Sequence, residues 1–444
     1  MCPATPFRNA PAIDALSPRP ADRRRASASQ PAEHEPPLAT VGDPADRSDV
    51  PLALLTSVLG QPSAPPIAPL AFAPASPEQR QRDIARRWDA HTIAYAPARA
   101  FPPVRHLPGH DRKRILVTGG AGFVGSHLVD RLMFMGHDVT VLDNFFSGSK
   151  TAVAHWIGHP NFELVRHDVV DPFMIECDQI YHLACPASPV AYQYNSIKTM
   201  KTNFLGTMNM LGLAKRTKAR FLLSSTSEVY GSPEQHPQKE TYWGNVNPIG
   251  PRACYDEGKR VAEALTYGYA RENGVSVRVA RIFNTYGPRM SPSDGRLVTN
   301  LMMAAIRGEP LEVYGSGHQT RSLMYVVDLV DGLVRLMNAP STPAVADAPV
   351  NLGSEDEQPV LVWAGRIRAI VAELKAAHPR YASAAANPSP IVHKPALPDD
   401  PPRRRPDTAK ARASLGWAPS WSADDGLRDT AKFFLDSVHS GYSA

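Results

Sequence analysis

The chain has 444 residues, a formal net charge of +5 and a hydrophobic fraction of 43%, values typical of a globular protein of two or three domains. Because the charge is small and neither a basic stripe with aromatics nor a zinc-ligand spacing is present, we expect no nucleic-acid partner and no metal site. Four cysteines form no disulfide framework in a chain this long, which predicts reduced thiols and a cytoplasmic protein. The apolar patch at residues 52–59 is far shorter than the ~20 residues that span a membrane, so no membrane partner is expected.

Residues 1–110 differ in composition from the rest of the chain. They contain 20 of the 44 prolines but only 3 of the 29 glycines, together with runs of alanine, serine and arginine. Proline at this density interrupts helices and sheets, and few aliphatic residues are available for a core. We therefore predict a Pro/Ala-rich, disordered extension to about residue 110, with folding beginning near Lys113.

Strand-like apolar runs alternate with segments of helical periodicity from residue 114 onward. This alternation predicts an α/β fold with a Rossmann-type, doubly wound parallel sheet and helices on both of its faces. The runs predicted as strands are 114–118, 138–143, 162–168, 179–184, 219–225 and 275–283. Ligands bind at the carboxyl ends of strands in such sheets, and the polar and glycine-rich segments of this chain fall there.

The pattern becomes less regular after residue 284. Short strands are predicted at 311–314 and 350–352, a long loop at 378–402, and helices at 295–308, 326–337, 360–377, 408–415 and 423–438. We interpret 113–285 as a dinucleotide-binding domain, joined by returning pieces near 322–352. Residues 286–440 are then mainly a smaller C-terminal α/β lobe for the substrate.

Three glycines, Gly119, Gly122 and Gly125, follow the first predicted strand and open a helical segment. Glycine permits a tight turn and a close approach of the backbone to a ligand, and the free amides of a helix N-terminus favour a phosphate. Together with Phe123 and Val124, these residues form a candidate dinucleotide-binding loop. The alternative is a tight turn between strand and helix that binds no ligand.

Two aspartates follow the second and third predicted strands. Asp143 is placed to accept both hydroxyls of an adenosine ribose and to repel a 2′-phosphate, and no arginine occurs in residues 144–148 to receive one. The sequence therefore favours NAD over NADP as cofactor. The further residues assigned to this site are Asn144, Phe145, Asp168 and Val169. Asp168 is a candidate adenine contact, although either aspartate could instead cap the segment that follows it.

Tyr255 and Lys259 are four residues apart in a predicted helix and therefore share one face. A phenol titrates near ~10, too high for a base at neutral pH, but a nearby ammonium or a positive nicotinamide ring stabilises the phenolate. The pair thus predicts a general base for an alcohol proton. Two helix-face residues without a role are the usual alternative, but here the pair follows a strand ending at Thr226 in a dinucleotide-binding pattern.

Longer stretches extend these motifs, namely 226–231, 250–260 and 280–290. With the glycine loop and the Tyr–Lys pair, they closely resemble the UDP-glucuronate decarboxylase family of the extended short-chain dehydrogenase/reductase superfamily, over residues 113–436. The resemblance implies NAD-dependent conversion of UDP-glucuronate to UDP-xylose through a UDP-4-keto intermediate, with the hydride returned to the sugar. It also implies a homodimer formed through helices near 196–217 and 254–273.

The resemblance assigns roles to individual residues. Thr226 would hydrogen-bond the C4 oxygen of the sugar, and Lys259 would hold the nicotinamide ribose and lower the pKa of Tyr255. Glu228 would lie near C5, where it could orient a water molecule or move a proton, and Arg404 matches the arginine that reaches the sugar.

Two further assignments rest on the same resemblance. The residues matched to UDP binding are Lys201, Asn284, Arg296 and Arg321. The residue that matches the family arginine could instead be Arg403 or Arg405, one position to either side of Arg404. Alternatively, the three arginines could form a solvated basic loop. Cys185 stands where the family often has serine, and nothing in its surroundings suggests a nucleophile.

Three other functions remain as alternatives at this point. A 4-epimerase would turn over the 4-keto sugar without losing CO₂, but the tail at 404–407 disfavours it. A 4,6-dehydratase would eliminate water and typically carries an Asp-Glu pair where this chain has Ser227 and Glu228. A non-catalytic regulator that binds NAD and a nucleotide sugar usually lacks the Tyr or the Lys, and both are present here.

Overall fold

The computed structural model describes residues 101–377, 389–396 and 402–439. Most of the predicted extension, residues 1–100, and two parts of the predicted long loop, 378–388 and 397–401, lie outside the described residues. Within the described ranges, no helix is long and apolar enough to cross a membrane.

Residues 101–110 were assigned to the extension, but they pack on the fold. The backbone N–H of Arg105 donates to the Phe134 carbonyl oxygen over 3.2 Å, and the Phe101 ring meets the His159 ring edge-on, with centroids 5.1 Å apart. A proline-rich segment can pack in this way without regular structure because these contacts need only one backbone N–H and one aromatic ring. The packed part of the chain therefore begins before Lys113.

Short and long strands run through the described residues. In chain order they are β1 (Arg114–Thr118), β2 (Asp138–Asp143), β3 (Phe162–Arg166), β4 (Gln179–His182), β5 (Arg220–Thr226), β6 (Val277–Ile282), β7 (Thr285–Tyr286), β8 (Leu311–Tyr314), β9 (Thr320–Ser322), β10 (Met324–Tyr325), β11 (Val350–Leu352), β12 (Glu357–Pro359), β13 (Ile391–Lys394) and β14 (Arg403–Arg404).

The helices, also in chain order, are α1 (Phe123–Phe134), α2 (Pro189–Tyr194), α3 (Ser196–Lys201), α4 (Thr207–Thr217), α5 (Ala253–Asn273), α6 (Leu297–Arg307), α7 (Val326–Asn338), α8 (Pro343–Ala346), α9 (Val360–Ala377), α10 (Ala409–Leu415) and α11 (Ala423–His439). Short 3₁₀ helices span Lys150–Trp156 and Ser227–Tyr230, and one π-helical turn, Thr202–Gly206, joins α3 to α4.

Seven strands form one parallel sheet in the order β3-β2-β1-β4-β5-β6-β11. Successive residues of a strand point to opposite faces, and in β1 Ile115 and Val117 join one apolar core while Leu116 joins the other. A strand that is apolar on both faces is expected where helices cover both sides of a parallel sheet. The predicted Rossmann-type, doubly wound fold is confirmed.

The strand order reverses between β1 and β4, and this reversal positions the site. The chain leaves β1 toward one side and β4 toward the other, so the segments after these strands separate and leave a crevice. Gly119 follows β1, and its amide stays in the sheet by donating to the Leu142 carbonyl oxygen over 2.8 Å. The residues after β4, 183–189, form the opposite wall of this crevice.

Smaller sheets near the C-terminus depart from the prediction. The predicted loop 378–402 contains β13, which pairs in parallel with β8, with Ile391 opposite Leu311. A second sheet has the order β12-β9-β14, with Arg404 opposite Arg321. Apart from β8, which has the predicted bounds, these strands are two to four residues long and carry no clear apolar alternation. Pairing with distant residues, rather than local propensity, makes them extended.

Candidate active site

A cavity of about 440 Å³ opens at the carboxyl edge of the main sheet, a size typical of ligand pockets. Most of the predicted site residues line it. They are Gly119, Gly122, Phe123, Val124, Gly125, Asp143, Asn144, Val169, Thr226, Glu228, Tyr255, Lys259, Asn284, Arg296, Arg321 and Arg404. The fold therefore brings residues that are nearly 300 positions apart in sequence to one cavity.

The glycine loop forms one wall and leaves no room for side chains. Gly119 has φ +70°, and a Cβ atom there would lie 2.8 Å from the Ala184 nitrogen. A Cβ on Gly125 would lie 2.1 Å from the Gly119 carbonyl oxygen. Helix α1 follows with Gly122 as its N-cap and no side-chain cap, which leaves its first N–H groups available to an anion at the cavity wall.

Asp143 holds the glycine loop from the end of β2. One carboxylate oxygen accepts the N–H of Ala121 over 3.0 Å, and the other accepts the N–H of Phe145 over 2.8 Å. Burial raises the pKa of Asp143, and these two hydrogen bonds oppose that shift. Each oxygen keeps a second lone pair, so the carboxylate can brace the loop and still accept ribose hydroxyls.

Three predicted residues do not line the cavity. Phe145, with φ 57°, packs its ring against the core. Asp168 lies behind the wall, where it accepts 2.8 Å hydrogen bonds from Asn144 Nδ2 and Lys198 Nζ. Lys201 is exposed on α3, and the lysine of α3 that lines the cavity is Lys198, which the sequence analysis did not single out.

Helix α5 presents Tyr255 and Lys259 from its N-terminal half. The Tyr255 phenol is hydrogen-bonded to the side chain of Thr226 at the end of β5. Lys259 Nζ donates to the Ser224 carbonyl oxygen over 2.8 Å and lies 5.9 Å from the centre of the Tyr255 ring. Gly258 lets α5 pack closely on the π-helical turn, since a Cβ there would lie 2.9 Å from Asn203 Nδ2. The predicted tyrosine, lysine and threonine therefore lie close together at one wall of the cavity.

The direction of the Tyr255 pKa differs from the sequence-based expectation. Burial raises the pKa of Tyr255, the Cys185 thiol adds to the shift, and the hydrogen bond with Thr226 opposes it. Lys259 was expected to lower this pKa, but its ammonium is held at the Ser224 carbonyl group rather than at the phenol oxygen. The chain by itself therefore keeps Tyr255 protonated.

Glu228 is the centre of a buried ion cluster. Arg404 binds its carboxylate in a bidentate manner, with N···O distances of 2.5 and 2.9 Å, and Arg252 pairs with the same carboxylate. This geometry identifies Arg404, rather than Arg403 or Arg405, as the arginine of the triplet that faces the active site. Arg403 instead has a side chain that is 60% exposed.

The charges around Glu228 determine its protonation state. Burial opposes ionisation, but Arg404, Arg252 and Arg321 together hold the pKa of Glu228 below its ordinary value. Arg252 was not assigned a role from the sequence. The available signal was its position three residues before Tyr255, one helical turn away at the start of α5.

Three of the four residues matched to UDP binding, Asn284, Arg296 and Arg321, line the same cavity. Arg296 forms a bidentate pair with Asp294, which includes a 3.0 Å bond from Nη2 to Oδ1. Arg321 on β9 donates to the Thr320 carbonyl oxygen over 2.7 Å, and Asn284 lies between β6 and β7. Guanidinium groups at a cavity wall can bind a diphosphate in a planar, paired fashion.

A parallel sheet in this order, a glycine loop at its switch point and a Tyr–Lys pair on the following wall define an extended short-chain dehydrogenase/reductase. The family model described as GDP-mannose 4,6 dehydratase matches residues 116–430. The UDP-glucuronic acid decarboxylase 1 of Danio rerio is 59% identical over 334 residues, which cover 75% of each chain. The UDP-glucuronic acid decarboxylase 1 of Arabidopsis thaliana is 56% identical over 331 residues, which cover 74% of this chain and 72% of that one. The chain therefore belongs to the UDP-glucuronic acid decarboxylase family.

Solved structures share the same architecture. The UDP-glucose 4-epimerase of Thermotoga maritima, solved with UDP-glucose, superposes with a TM-score of 0.61 at 28% identity. This superposition covers 73% of this chain and 99% of the epimerase. Nucleotide-sugar enzymes of different reaction type therefore share this fold, so the residues of the site must decide the reaction.

Proposed function

We propose that the chain decarboxylates UDP-glucuronate to UDP-xylose in an NAD-dependent reaction that passes through a UDP-4-keto intermediate and returns the hydride to the sugar. The observation that carries this proposal is the arrangement of the Glu228–Arg404 pair in the same cavity as Tyr255, Lys259 and Thr226. Identity of 54–59% to curated UDP-glucuronic acid decarboxylases supports it.

NAD is the proposed cofactor, and the glycine wall fits it. Three positions without side chains, an uncapped helix N-terminus and the Asp143 carboxylate together suit a pyrophosphate and an unphosphorylated ribose. Bound NAD would accept and return a hydride at C4 of the sugar, and its positive ring would offset the burial that raises the pKa of Tyr255. Lys259 would hold the nicotinamide ribose.

Tyr255 is the proposed base at the C4 hydroxyl of the sugar. Thr226 would bind the same oxygen, because its hydroxyl already contacts the phenol. Oxidation at C4 makes the sugar a β-keto acid, which loses CO₂ because the neighbouring ketone accepts the electron pair as an enolate. The proton then returns at C5, and this is the step we assign to the region of Glu228 and Arg404.

Asn284, Arg296 and Arg321 are the proposed ligands of the UDP portion. Arg296 is held by Asp294 at the cavity wall, which keeps its guanidinium oriented for a diphosphate. Lys201 is left out of the proposed substrate site because it is exposed and does not line the cavity. The lysine of α3 that lines the cavity is Lys198, and we propose that it contributes to the cofactor side of the site, beside Asp168.

A homodimer is the proposed assembly, formed by the surface of α3, its flanking turns and α5. This surface exposes apolar side chains, namely Tyr194, Ile197, Met200, Phe204 and Val261. Exposed apolar residues at this density on adjacent helices are typical of an interface. Light scattering that gives the mass of one chain would contradict the dimer. The cytoplasmic localisation also remains a proposal, which cell fractionation tests.

One experiment tests the reaction. The purified protein is incubated with UDP-glucuronate without added NAD, and the products are separated and identified. The expected result is CO₂ and UDP-xylose, because a cofactor regenerated in each cycle stays bound. UDP-galacturonate as the product would replace the proposal by an epimerase. Release of UDP-4-keto-pentose alone would replace it by an oxidative decarboxylase.

A further inference from the structure

A second buried carboxylate lies beside the Glu228 cluster and has no role in the proposed reaction. The side chain of Asp256 is only 9% exposed, and among the described residues its Oδ1 atom has no hydrogen-bond partner. Its Oδ2 atom lies 3.9 Å from Nε of Arg252, one helical turn earlier at the start of α5. A buried carboxylate without a full set of hydrogen bonds is costly to the fold, so its position requires an explanation.

Arg252 lies between two carboxylates. Its Nη2 group pairs with Glu228, while its Nε group faces Asp256 from the other side. Glu228 is also held by Arg404, whereas the ion-pair contact of Asp256 within the described residues is the longer one with Arg252. The two carboxylates therefore share one guanidinium, and the charge of Asp256 influences how firmly that guanidinium holds Glu228.

Capping of the helix N-terminus does not account for Asp256. Acidic residues are common in the first turn of a helix, where they favour the helix dipole or cap free amides. In α5, however, no side chain caps the N-terminus. The adjacent Glu257 behaves as a surface acid, since it pairs with Arg260 over 3.3 Å and its side chain is 31% exposed.

We propose that Asp256 is a positioning residue that acts through Arg252 on Glu228 and sets how tightly Glu228 is held during the proton transfer at C5. This inference rests on the proposed function. When Asp256 is neutral, it no longer competes with Glu228 for the charge of Arg252. When Asp256 is ionised, it draws the guanidinium toward itself, and Glu228 becomes a better proton acceptor.

Both charge states of Asp256 are accessible near neutral pH. Burial and the charge of Glu228 raise the pKa of Asp256 to about 7, and Arg252 and Arg404 oppose that rise. The other titratable groups that act on it or respond to it are Glu257, Cys254 and Tyr192. As pH rises through about 7, Asp256 ionises and the hold of Arg252 on Glu228 weakens.

The test is the pH dependence of turnover in the Asp256→Asn enzyme. Asparagine has the same shape but cannot ionise, so it mimics neutral Asp256 at every pH. Relative to the wild type, kcat should match at pH 6 and fall by roughly 3- to 10-fold at pH 8.5, with KM for UDP-glucuronate unchanged. Glu257→Gln is the matched control, since it removes a charge one residue away but leaves Asp256 able to ionise. Its profile should keep the wild-type dependence on pH, displaced slightly to lower pH because Glu257 helps to raise the pKa of Asp256.

A second variant tests the route through Arg252. In an Arg252→Gln background, the addition of Asp256→Asn should leave the pH profile unchanged, because the proposed link is already broken. An Asp256→Asn profile equal to the wild type would overturn the inference, as would an equal effect in both backgrounds. A lower melting temperature with no change in the profile would make Asp256 purely structural. A wild-type enzyme that forms no UDP-xylose would instead refute the proposed function itself.

Discussion

The glycine loop and the Glu228–Arg252–Arg404 cluster line the same cavity but are built in different ways. The loop comes from one stretch of chain, 119–125, and works through backbone amides and the absence of side chains. The cluster brings together residues from a 3₁₀ helix, the start of α5 and the short strand β14, and works through side-chain charge. A site formed by backbone groups can be predicted from a local sequence motif. A site formed by charged side chains depends on contacts between residues far apart in the chain.

This contrast predicts different responses to substitution. A side chain added at a glycine of the loop meets backbone atoms that cannot move aside. Such a substitution should therefore abolish nearly all turnover. A change in the cluster leaves other charges that compensate in part, so its effect should be graded.

Gly125→Ala should have the largest effect. Its Cβ would lie 2.1 Å from the Gly119 carbonyl oxygen, so the loop must open and its amides lose their position. We expect purified protein without bound NAD and with no detectable turnover, as measured by cofactor release on denaturation and by product formation. Gly212→Ala on α4 is the control, because nothing lies within 4 Å of the added Cβ and alanine favours a helix by up to about 1 kcal/mol. If the Gly125→Ala protein retained NAD, the proposed binding of NAD by the backbone amides of the glycine loop would be wrong.

Tyr255→Phe should have the next largest effect. It removes the proposed base but keeps the ring, which stacks on Tyr192 with centroids 5.1 Å apart, so the fold and the bound NAD should persist. Turnover should fall by about 10²- to 10⁴-fold, the usual contribution of a general base. Tyr267→Phe makes the same change on the same helix, at a hydroxyl with no hydrogen-bond partner, and should leave turnover intact. Normal turnover in Tyr255→Phe would remove the tyrosine from the mechanism.

Arg404→Gln should have a smaller, graded effect, because Arg252 still pairs with Glu228. Loss of one partner of a buried ion pair costs roughly 3 kcal/mol, and we expect a lower melting temperature together with a turnover reduced by about 10- to 100-fold. Arg403→Gln, next to it in the triplet but exposed, should behave like the wild type in both measurements. The reverse result would place the triplet in a different register from the structure.

The sequence was sufficient for the parts of the fold that depend on local pattern. The strands β1 and β2 and the helix α9 have the predicted bounds, since apolar or amphipathic runs decide them. The short strand β8 also has the predicted bounds, because its buried and exposed residues alternate. The strands β9, β12, β13 and β14 were not predicted, because two to four residues carry too little pattern and become extended only when a distant strand pairs with them. The contact of Phe101 with His159 was missed because a contact between two side chains far apart in sequence leaves no local pattern.

Within the site, the sequence alone determined which chemical groups are available. The spacing of the glycines, the acid after β2 and the Tyr–Lys pair follow from helix and strand geometry, which is local. Only the tertiary structure decided that Arg404 and Arg252 share Glu228, that burial raises the pKa of Tyr255, and that Asp256 lies behind Arg252. Charge–charge energies depend on distance and burial, and both are set by packing between segments far apart in the chain.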